Sequence, residues 1–134
     1  MPAAQVLDSH ALLALLRDEA GSEMVATILE KAGQREKPVH MTEVNYAEVQ
    51  YTIRRKDGAA AWTAIASELK AAPIEFHPAD RRLADTAADF KARFKLSLAD
   101  AFAAALAKEK KAELVTGDPE FKPLEKEIKI SWLK

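Results

Sequence analysis

The chain has 134 residues, of which 49% are hydrophobic and 31% charged, a composition typical of one globular domain rather than a disordered or fibrous protein. We therefore expect residues 1–134 to form a single domain. The formal net charge of −1 excludes a strong overall attraction to nucleic acid or to an anionic membrane, and the lack of cysteine excludes disulfides, thiol nucleophiles and cysteine-based zinc sites. Neither a signal-peptide pattern nor an apolar stretch near the ~20 residues that cross a bilayer is present, so we expect a cytoplasmic protein without a membrane segment.

The order of the predicted elements follows from the spacing of apolar residues and from the residues that begin and end helices. Residues 3–7 favour a short strand, because the helical spacing of leucines begins only after Asp8 and Ser9, which are both good helix N-caps. The helix that follows is predicted to end near Gly21. Further helices are predicted to begin at Ser22, at Thr42, after Gly58, at Asp80 and at Ser97, with a short one after Asp118. Further strands are predicted at residues 39–41, 74–76, 113–116 and 128–132.

Strands that alternate with helices indicate a parallel sheet, because each parallel connection needs a dozen or more residues and a helix supplies them. The predicted order, βααβααβααβ(α)β, therefore indicates an α/β fold, namely a three-layer α/β/α sandwich around a small parallel sheet of about five strands. In such sheets, ligands bind beyond the carboxyl ends of the strands, at the point where the strand order reverses. We expect the functional residues at that edge.

Three aspartates stand at positions predicted to face this edge of the sheet. Asp8 follows the first strand, Asp118 follows the fourth strand, and Asp100 is the one charged residue between Leu98 and Ala107. Each also has a simple structural interpretation as a helix cap or a first-turn acid, and a first-turn acid is stabilised by the helix dipole by ~0.3–1 kcal/mol. Either structural interpretation would be enough to explain one of these aspartates alone. Because all three are predicted at the same edge of the sheet, they indicate an acidic cluster.

Glu48 is a fourth candidate, in the helix predicted to begin at Thr42. It falls beside the stripe expected to face the sheet, and no lysine or arginine stands three or four residues away to neutralise it. Glu43 is a competitor, although its first-turn position already explains it. Asn45, one turn before Glu48, is a candidate hydrogen-bond donor that orients the site.

Four carboxylates in one cleft would repel one another unless they were protonated or neutralised by cations. Oxygen ligands suit Mg²⁺ or Mn²⁺, whereas zinc would require histidine or cysteine, and the three histidines show no metal-binding spacing. His10 is interpreted as a partly exposed residue at a helix start, and His40 and His77 as strand-end residues. The expected ligands of a Mg²⁺ or Mn²⁺ ion are Asp8, Glu48, Asp100 and Asp118.

Four segments also carry a resemblance to a known family. They are, in chain order, VLDSHALLALL, MTEVNYAEVQY, LSLADAFAAALA and ELVTGDPEF, and together they extend over nearly the whole sequence. In these segments the chain resembles the PIN domains and, within them, the VapC-type toxins of bacterial toxin–antitoxin pairs. The resemblance places the family's acids on Asp8, Glu48, Asp100 and Asp118, and its usual hydroxyl on Thr116. Ser9 and Asn45 are expected to support these acids through hydrogen bonds.

The resemblance implies a metal-dependent endoribonuclease that acts as the toxin of such a pair. In that activity, Mg²⁺ or Mn²⁺ held by the acids activates a water molecule for in-line attack on an RNA phosphodiester. The resemblance also implies a homodimer and a cognate VapB-type antitoxin that blocks the site. Candidate contacts for the RNA phosphates are Arg54, Arg55, Lys91 and Arg93.

Two other families that gather acids at strand ends fit less well. A phosphoacceptor receiver domain needs an adjacent acid pair after its first strand, and a haloacid-dehalogenase-like phosphatase needs D-x-D there; Val6-Leu7-Asp8 and Asp8-Ser9-His10 supply neither. The alternative that stays open is a non-catalytic α/β binding or regulatory module that keeps a metal-binding acidic cleft.

Overall fold

The computed structural model describes residues 3–134. Its strands, β1 to β5, are Gln5–Leu7, Val39–Thr42, Ile74–His77, Glu113–Thr116 and Ile130–Trp132. Its helices, α1 to α6, are Ser9–Leu16, Ser22–Arg35, Glu43–Asp57, Ala59–Ala71, Arg81–Arg93 and Leu98–Lys110, and a 3-10 helix covers Pro119–Lys126. The predicted order of elements is confirmed.

All five strands run parallel, in the order β3-β2-β1-β4-β5. The chain adds β2 and β3 on one side of β1 and then returns to place β4 on the other side, so the strand order reverses between β1 and β4. Asp8 directly follows β1, and Asp118 lies two residues beyond the end of β4. The predicted α/β sandwich is confirmed, and two of its predicted acids flank the reversal.

Neighbouring residues of β1 enter opposite layers of the core, because side chains alternate across a strand. Val6 packs in the cluster that includes residues of α5 and α6, whereas Leu7 packs with residues of α1 and α2. Both side chains are fully buried, and burying a side chain of this size stabilises the fold by roughly 1.5–3 kcal/mol. Helices α3 and α4 close a third cluster around Ile53 and Trp62. The sheet is therefore covered on both faces.

Helix α6 crosses the middle of the molecule and contacts α3, α5, β1 and β2. Every side chain from Ala101 to Ala107 is buried, as the nearly continuous apolar run predicts. Burial does not extend to the first turn, where Leu98 is 55% exposed and Asp100 is half-buried. Among the helices of residues 3–134, none combines the length and apolar character that a membrane span requires. The first turn of α6 is thus open to solvent while the rest of the helix is core.

Two element boundaries differ from the prediction. Helix α1 ends at Leu16 rather than near Gly21, because Asp18 adopts a left-handed conformation (φ 52°) and the backbone N–H of Glu19 closes the turn on the carbonyl of Ala14 at 2.8 Å. The last strand begins at Ile130 rather than at residue 128. Ile128 is buried as expected, but its N–H donates to the carbonyl of Leu124 in the preceding 3-10 helix.

Candidate metal centre

Asp8 is buried at the start of α1, with 1% of its surface exposed. Its Oδ1 accepts from the backbone N–H of Ala11 at 2.8 Å, which caps the helix, and its Oδ2 accepts from the hydroxyl of Thr116 at 2.5 Å. Burial raises the pKa of the Asp8 carboxyl to about 7 although both hydrogen bonds lower it, and the charges of Asp100 and Asp118 add to the rise. Asp8 is therefore both a helix cap and part of an acidic cluster.

Asp100, Asp118 and Glu120 form the open part of this cluster. One carboxylate oxygen from each residue lies within 4.8 Å of the other two. Asp118 also caps the 3-10 helix by accepting from the N–H of Glu120 at 2.9 Å. Burial, followed by the charges of Asp118, Glu48 and Glu120, raises the pKa of the Asp100 carboxyl to about 6. Excess negative charge thus gathers in a half-buried position that a cation can reach.

The structure brings Glu48, and not Glu43, to the acidic cluster. Glu48 is half-buried in α3, its charge acts on Asp100, and its Oε2 accepts from the hydroxyl of Tyr51 at 3.4 Å. Glu43 is exposed and, together with Tyr46, lines a cavity of about 340 Å³ between α3 and α4. Its charge is not among those that shift the pKa of Asp8 or Asp100. The two glutamates of this segment therefore have different surroundings.

Asn45 joins the first turns of the helices that carry Asp8, Glu48 and Asp100. The side chain is fully buried, and its Nδ2 donates to the hydroxyl of Ser9 at 3.1 Å and to the carbonyl of Ala99 at 3.2 Å. The hydroxyl of Ser9 in turn donates to the carbonyl of Asn45 at 3.3 Å. The predicted supporting positions of Ser9 and Asn45 thus form one network that holds α1, α3 and α6 together.

Thr116 links the two acids that flank the strand-order reversal. Its hydroxyl donates to Oδ2 of Asp8 and accepts from the backbone N–H of Asp118 at 3.0 Å. Because a hydroxyl both donates and accepts, one buried side chain satisfies both partners. Thr116 therefore fixes the end of β4 against the end of β1.

Two residues at the cleft were not among the predicted site residues. Glu120 extends the acidic group, and its signal in the sequence is a second acid two residues after Asp118. The ring of His10 packs over Gly117, where an added Cβ would lie 2.6 Å from His10 Cε1. His10 is exposed, as expected at a helix start, but it also borders the segment between Thr116 and Asp118.

The arginines proposed to contact RNA divide into two groups. Arg54 and Arg55 lie beside Tyr51, with the Arg55 guanidinium 5.1 Å from the ring centroid, and the three residues line an open cavity of about 350 Å³. Arg93 instead pairs with Asp89 and Glu127 at 2.6–3.1 Å. Arg93 is therefore already paired with two acids, and its contact with RNA stays a prediction.

Lys91 is also engaged within the protein. Its Nζ donates to the carbonyl of Leu96 at 2.8 Å, which fixes the connection between α5 and α6. The contact of Lys91 with RNA also stays a prediction. Arg54 and Arg55 share α3 with Glu48 and lie beside Tyr51, whose hydroxyl donates to Glu48.

The donor set of the cluster fits a hard divalent ion. All the converging groups are carboxylates, with no nitrogen or sulfur donor among them, and Mg²⁺ and Mn²⁺ prefer oxygen ligands. The raised pKa values of Asp8 and Asp100 agree with a cation site. Burial and mutual repulsion disfavour the charged carboxylates, and a bound cation would offset that cost. Their role as ligands stays a prediction.

Comparisons with known proteins agree with this architecture. The family model described as PIN domain matches residues 6–127. A structure of VapBC2 from Rickettsia felis bound to a DNA fragment from its promoter is similar, with a TM-score of 0.78 and 14% identity, over 98% of this chain and 99% of that chain. A toxin–antitoxin complex from Klebsiella pneumoniae is similar with a TM-score of 0.73 and 16% identity, over 98% of both chains.

A third similar structure is VapC20 from Mycobacterium tuberculosis, described as a toxin that cleaves the sarcin–ricin loop. Its TM-score is 0.71 and its identity 17%, over 90% of this chain and 95% of that chain. At these identities the similarity establishes a shared fold. A comparison with curated protein sequences gave no match.

Proposed function

The chain belongs to the PIN domain family, whose members are generally nucleases, and we propose that it is a Mg²⁺- or Mn²⁺-dependent endoribonuclease. The observation that carries this proposal is the convergence of four acids from separate parts of the chain at the strand-order reversal. They come from the end of β1, from α3, from the start of α6 and from the segment after β4. Those residues are Asp8, Glu48, Asp100 and Asp118.

Each residue of the cleft has a distinct task in hydrolysis of an RNA phosphodiester. Asp100, Asp118 and Glu120 offer the most accessible ligand oxygens, while Asp8 supplies buried negative charge beneath them. A divalent ion held by these acids would lower the pKa of a bound water molecule and offset the charge of the phosphate. Glu48, whose Oε2 accepts from Tyr51, would accept the proton of the attacking water. The water oxygen would bond to phosphorus as the bond to the leaving ribose oxygen breaks, and that ribose oxygen would take up a proton from solvent.

RNA binding is assigned to the surface around Tyr51. Arg54 and Arg55 supply positive charge about two turns from Glu48, and the half-exposed Tyr51 ring supplies a face for base stacking. Binding through this arginine pair weakens as salt concentration rises, because phosphate contacts release condensed counterions. The basic surface is local, which is consistent with a net charge of only −1.

The deciding experiment is cleavage of structured RNA by the purified full chain in Mn²⁺ or Mg²⁺, with an EDTA control. We expect Asp100→Asn, Asp8→Asn and Glu48→Gln each to lower the rate by at least about 100-fold, since each removes a charge from the reacting cleft. Glu43→Gln is the matched control, because it makes the same change in the same helix on the far side of α3. It is expected to leave the rate within about twofold of the wild type.

Cleavage that survives EDTA together with the aspartate substitutions would overturn the metal-carboxylate mechanism. Equal losses in Glu48→Gln and Glu43→Gln would remove the specific role of Glu48. Stabilisation by Mn²⁺ without cleavage of any RNA tested would identify the chain as a non-catalytic metal-binding module.

We further propose that the protein is the toxin of a VapBC-type pair, acts in the cytoplasm, forms a homodimer and is blocked by a VapB-type antitoxin. Complexes of toxin with antitoxin are among the similar structures. The large hydrophobic side chains exposed within residues 3–134 are Tyr51 and Leu98, both beside the acids, where a partner segment would cover them.

Light scattering should give twice the 14.7 kDa of one chain, and the co-expressed antitoxin should abolish cleavage. A monomeric mass or undiminished cleavage would contradict these two assignments.

A further inference from the structure

His40, Glu75 and His77 form a second cluster of potential metal ligands, outside the acidic cleft. They stand on the neighbouring strands β2 and β3, whose register pairs His40 with Glu75. His77 follows Glu75 by two residues and therefore projects from the same face of the sheet. The side chains of His40 and His77 are 15% and 16% exposed, whereas that of Glu75 is 55% exposed. Sequence spacing conceals the group because 37 residues separate the histidines.

The three donor atoms have the geometry of a transition-metal site. His40 Nδ1 lies 2.8 Å from His77 Nε2, and Glu75 Oε2 lies 3.5 Å from the first nitrogen and 3.9 Å from the second. A triangle with these edges has one point about 2.0 Å from all three corners, and Zn–N and Zn–O bonds are ~2.0–2.2 Å long. Full tetrahedral spacing, about 3.3 Å between donors, requires the two ring nitrogens to separate by about 0.5 Å, beyond their hydrogen-bond distance, and Glu75 Oε2 to move about 0.2 Å closer to His40 and about 0.6 Å closer to His77.

We propose that His40, Glu75 and His77 bind one Zn²⁺ ion, with water in the fourth position. Two imidazoles and one carboxylate form a donor set that suits zinc and differs from the all-oxygen set of the acidic cleft. The ion joins the edge strand β3 to β2 through side chains as well as through the backbone. His40 and Glu75 also line a cavity of about 360 Å³, which gives the ion a route from solvent.

The two clusters are electrostatically separate. Burial is the main cause of the raised pKa values of Asp8 and Asp100, and Glu75 is not among the acids whose charges add to them. Zinc at the histidine cluster therefore does not require an occupied acidic cleft. The proposal is independent of the nuclease activity and is tested without it.

The experiment is titration of the EDTA-treated full chain with ZnCl₂, followed by calorimetry and by ¹⁵N resonances of the imidazoles. We expect one ion to shift the signals of His40 Nδ1 and His77 Nε2. His40→Gln and His77→Gln should each weaken zinc binding by more than about tenfold. His10→Gln is the matched control, because the third histidine borders the acidic cleft, and it should change the affinity by less than about twofold.

Glu75→Gln keeps the test decisive if a histidine variant folds poorly, since this side chain is more than half exposed. It should weaken zinc binding while circular dichroism stays that of the wild type. Absence of zinc binding would overturn the proposal. So would undiminished binding in Glu75→Gln and His77→Gln, or a loss confined to His10→Gln with the other imidazole signals unmoved.

Discussion

Asp8 caps α1 and, in the proposed function, also supplies negative charge to the acidic cleft. Its two hydrogen bonds satisfy both carboxylate oxygens, yet burial still raises the pKa of the carboxyl to about 7. In the unfolded chain the same carboxyl has a pKa near 3.8. The folded state without metal therefore favours the protonated acid, and this contribution to stability is present below pH 3.8 and is lost as the pH rises towards 7.

Asp8→Asn is expected to flatten the pH dependence of stability measured in EDTA. Between pH 5 and pH 8 the free energy of unfolding of the wild type should fall by roughly 3 kcal/mol more than that of the variant, because the amide has no charge to bury. Urea unfolding at both pH values measures the difference. Asp80→Asn is the control, since Asp80 caps α5 in the same way at an exposed position. Parallel pH profiles of Asp8→Asn and wild type would contradict the prediction.

Single residues were predictable where the local sequence states their role. Asp8, Asp80, Ser97 and Asp118 all cap helices, as their residue types and positions indicate. Glu120 was missed because a first-turn acid is fully explained by the helix dipole until its neighbours in space are known. Residue type and helix position therefore predict the local role of a residue, but they do not predict which residues lie close together in the fold.

Among the elements, the network centred on Asn45 sets the spacing of the cleft. Asp8, Glu48 and Asp100 stand on α1, α3 and α6, and one amide bonds to the first turns of the other two helices. These bonds are buried, so their loss leaves polar groups without partners rather than returning them to water. A shift of α1, α3 or α6 would therefore also move the carboxylates at their first turns.

Asn45→Ala is expected to lower the free energy of unfolding by roughly 2–4 kcal/mol, because it removes the acceptor of the buried Thr42 hydroxyl and the donor to Ser9 and Ala99. It should also weaken Mn²⁺ binding by about tenfold or more through loosening of the acids. Ser9→Ala, which removes a smaller part of the network, should show smaller changes of the same sign. Calorimetric titration with Mn²⁺ and urea unfolding measure the two effects. Lost stability with unchanged Mn²⁺ affinity would limit Asn45 to a structural role.

Element boundaries were predicted less well than element order. Helix α1 ends early because the turn at Asp18 forms through backbone hydrogen bonds that no residue type announces. Leu98 begins the apolar run of α6, but the first turn opens onto the cleft and exposes it. Periodicity reports the face of a helix, whereas the ends depend on contacts that arrive from other parts of the chain.

Across the whole molecule, the small net charge does not reveal the cluster of acids at one edge of the sheet. The chain is almost neutral, yet acids concentrate at one edge of the sheet and raise the pKa of two members of the group. A cation that binds this folded state, but does not bind the unfolded chain, stabilises the fold. The same reasoning applies separately to the histidine cluster, with a different metal.

Millimolar Mn²⁺ is expected to raise the melting temperature of the wild type by several degrees, as ligand binding to the folded state requires. Asp100→Asn should lose most of the shift, whereas His77→Gln should retain it because its site lies elsewhere. NaCl at matched ionic strength controls for general screening. An equal shift in NaCl, or an unchanged shift in Asp100→Asn, would contradict a specific site at the acids.

The element order and the parallel sheet were predictable from the sequence, because strands alternate with helices that supply the connections between parallel strands. The rule that ligands bind at the carboxyl ends of such strands placed Asp8 and Asp118 at one edge of the sheet. It could not reveal the His40–His77 contact, since the register between β2 and β3 is set by packing across the sheet. The order of the elements follows from the sequence, whereas the register between strands depends on packing in the folded protein.

The place of β4 beside β1 also has a consequence for how the cleft comes into being on the ribosome. Asp8 meets Thr116 across a sequence separation of 108 residues, and Asp118 follows two residues later. A chain synthesised at ~5–20 residues per second exposes β1, β2 and β3 well before β4 leaves the exit tunnel. The acidic cleft is therefore completed among the last steps of co-translational folding. Until β4 joins β1, Asp8 lacks Thr116 and Asp118 beside it, and the acidic cleft is incomplete.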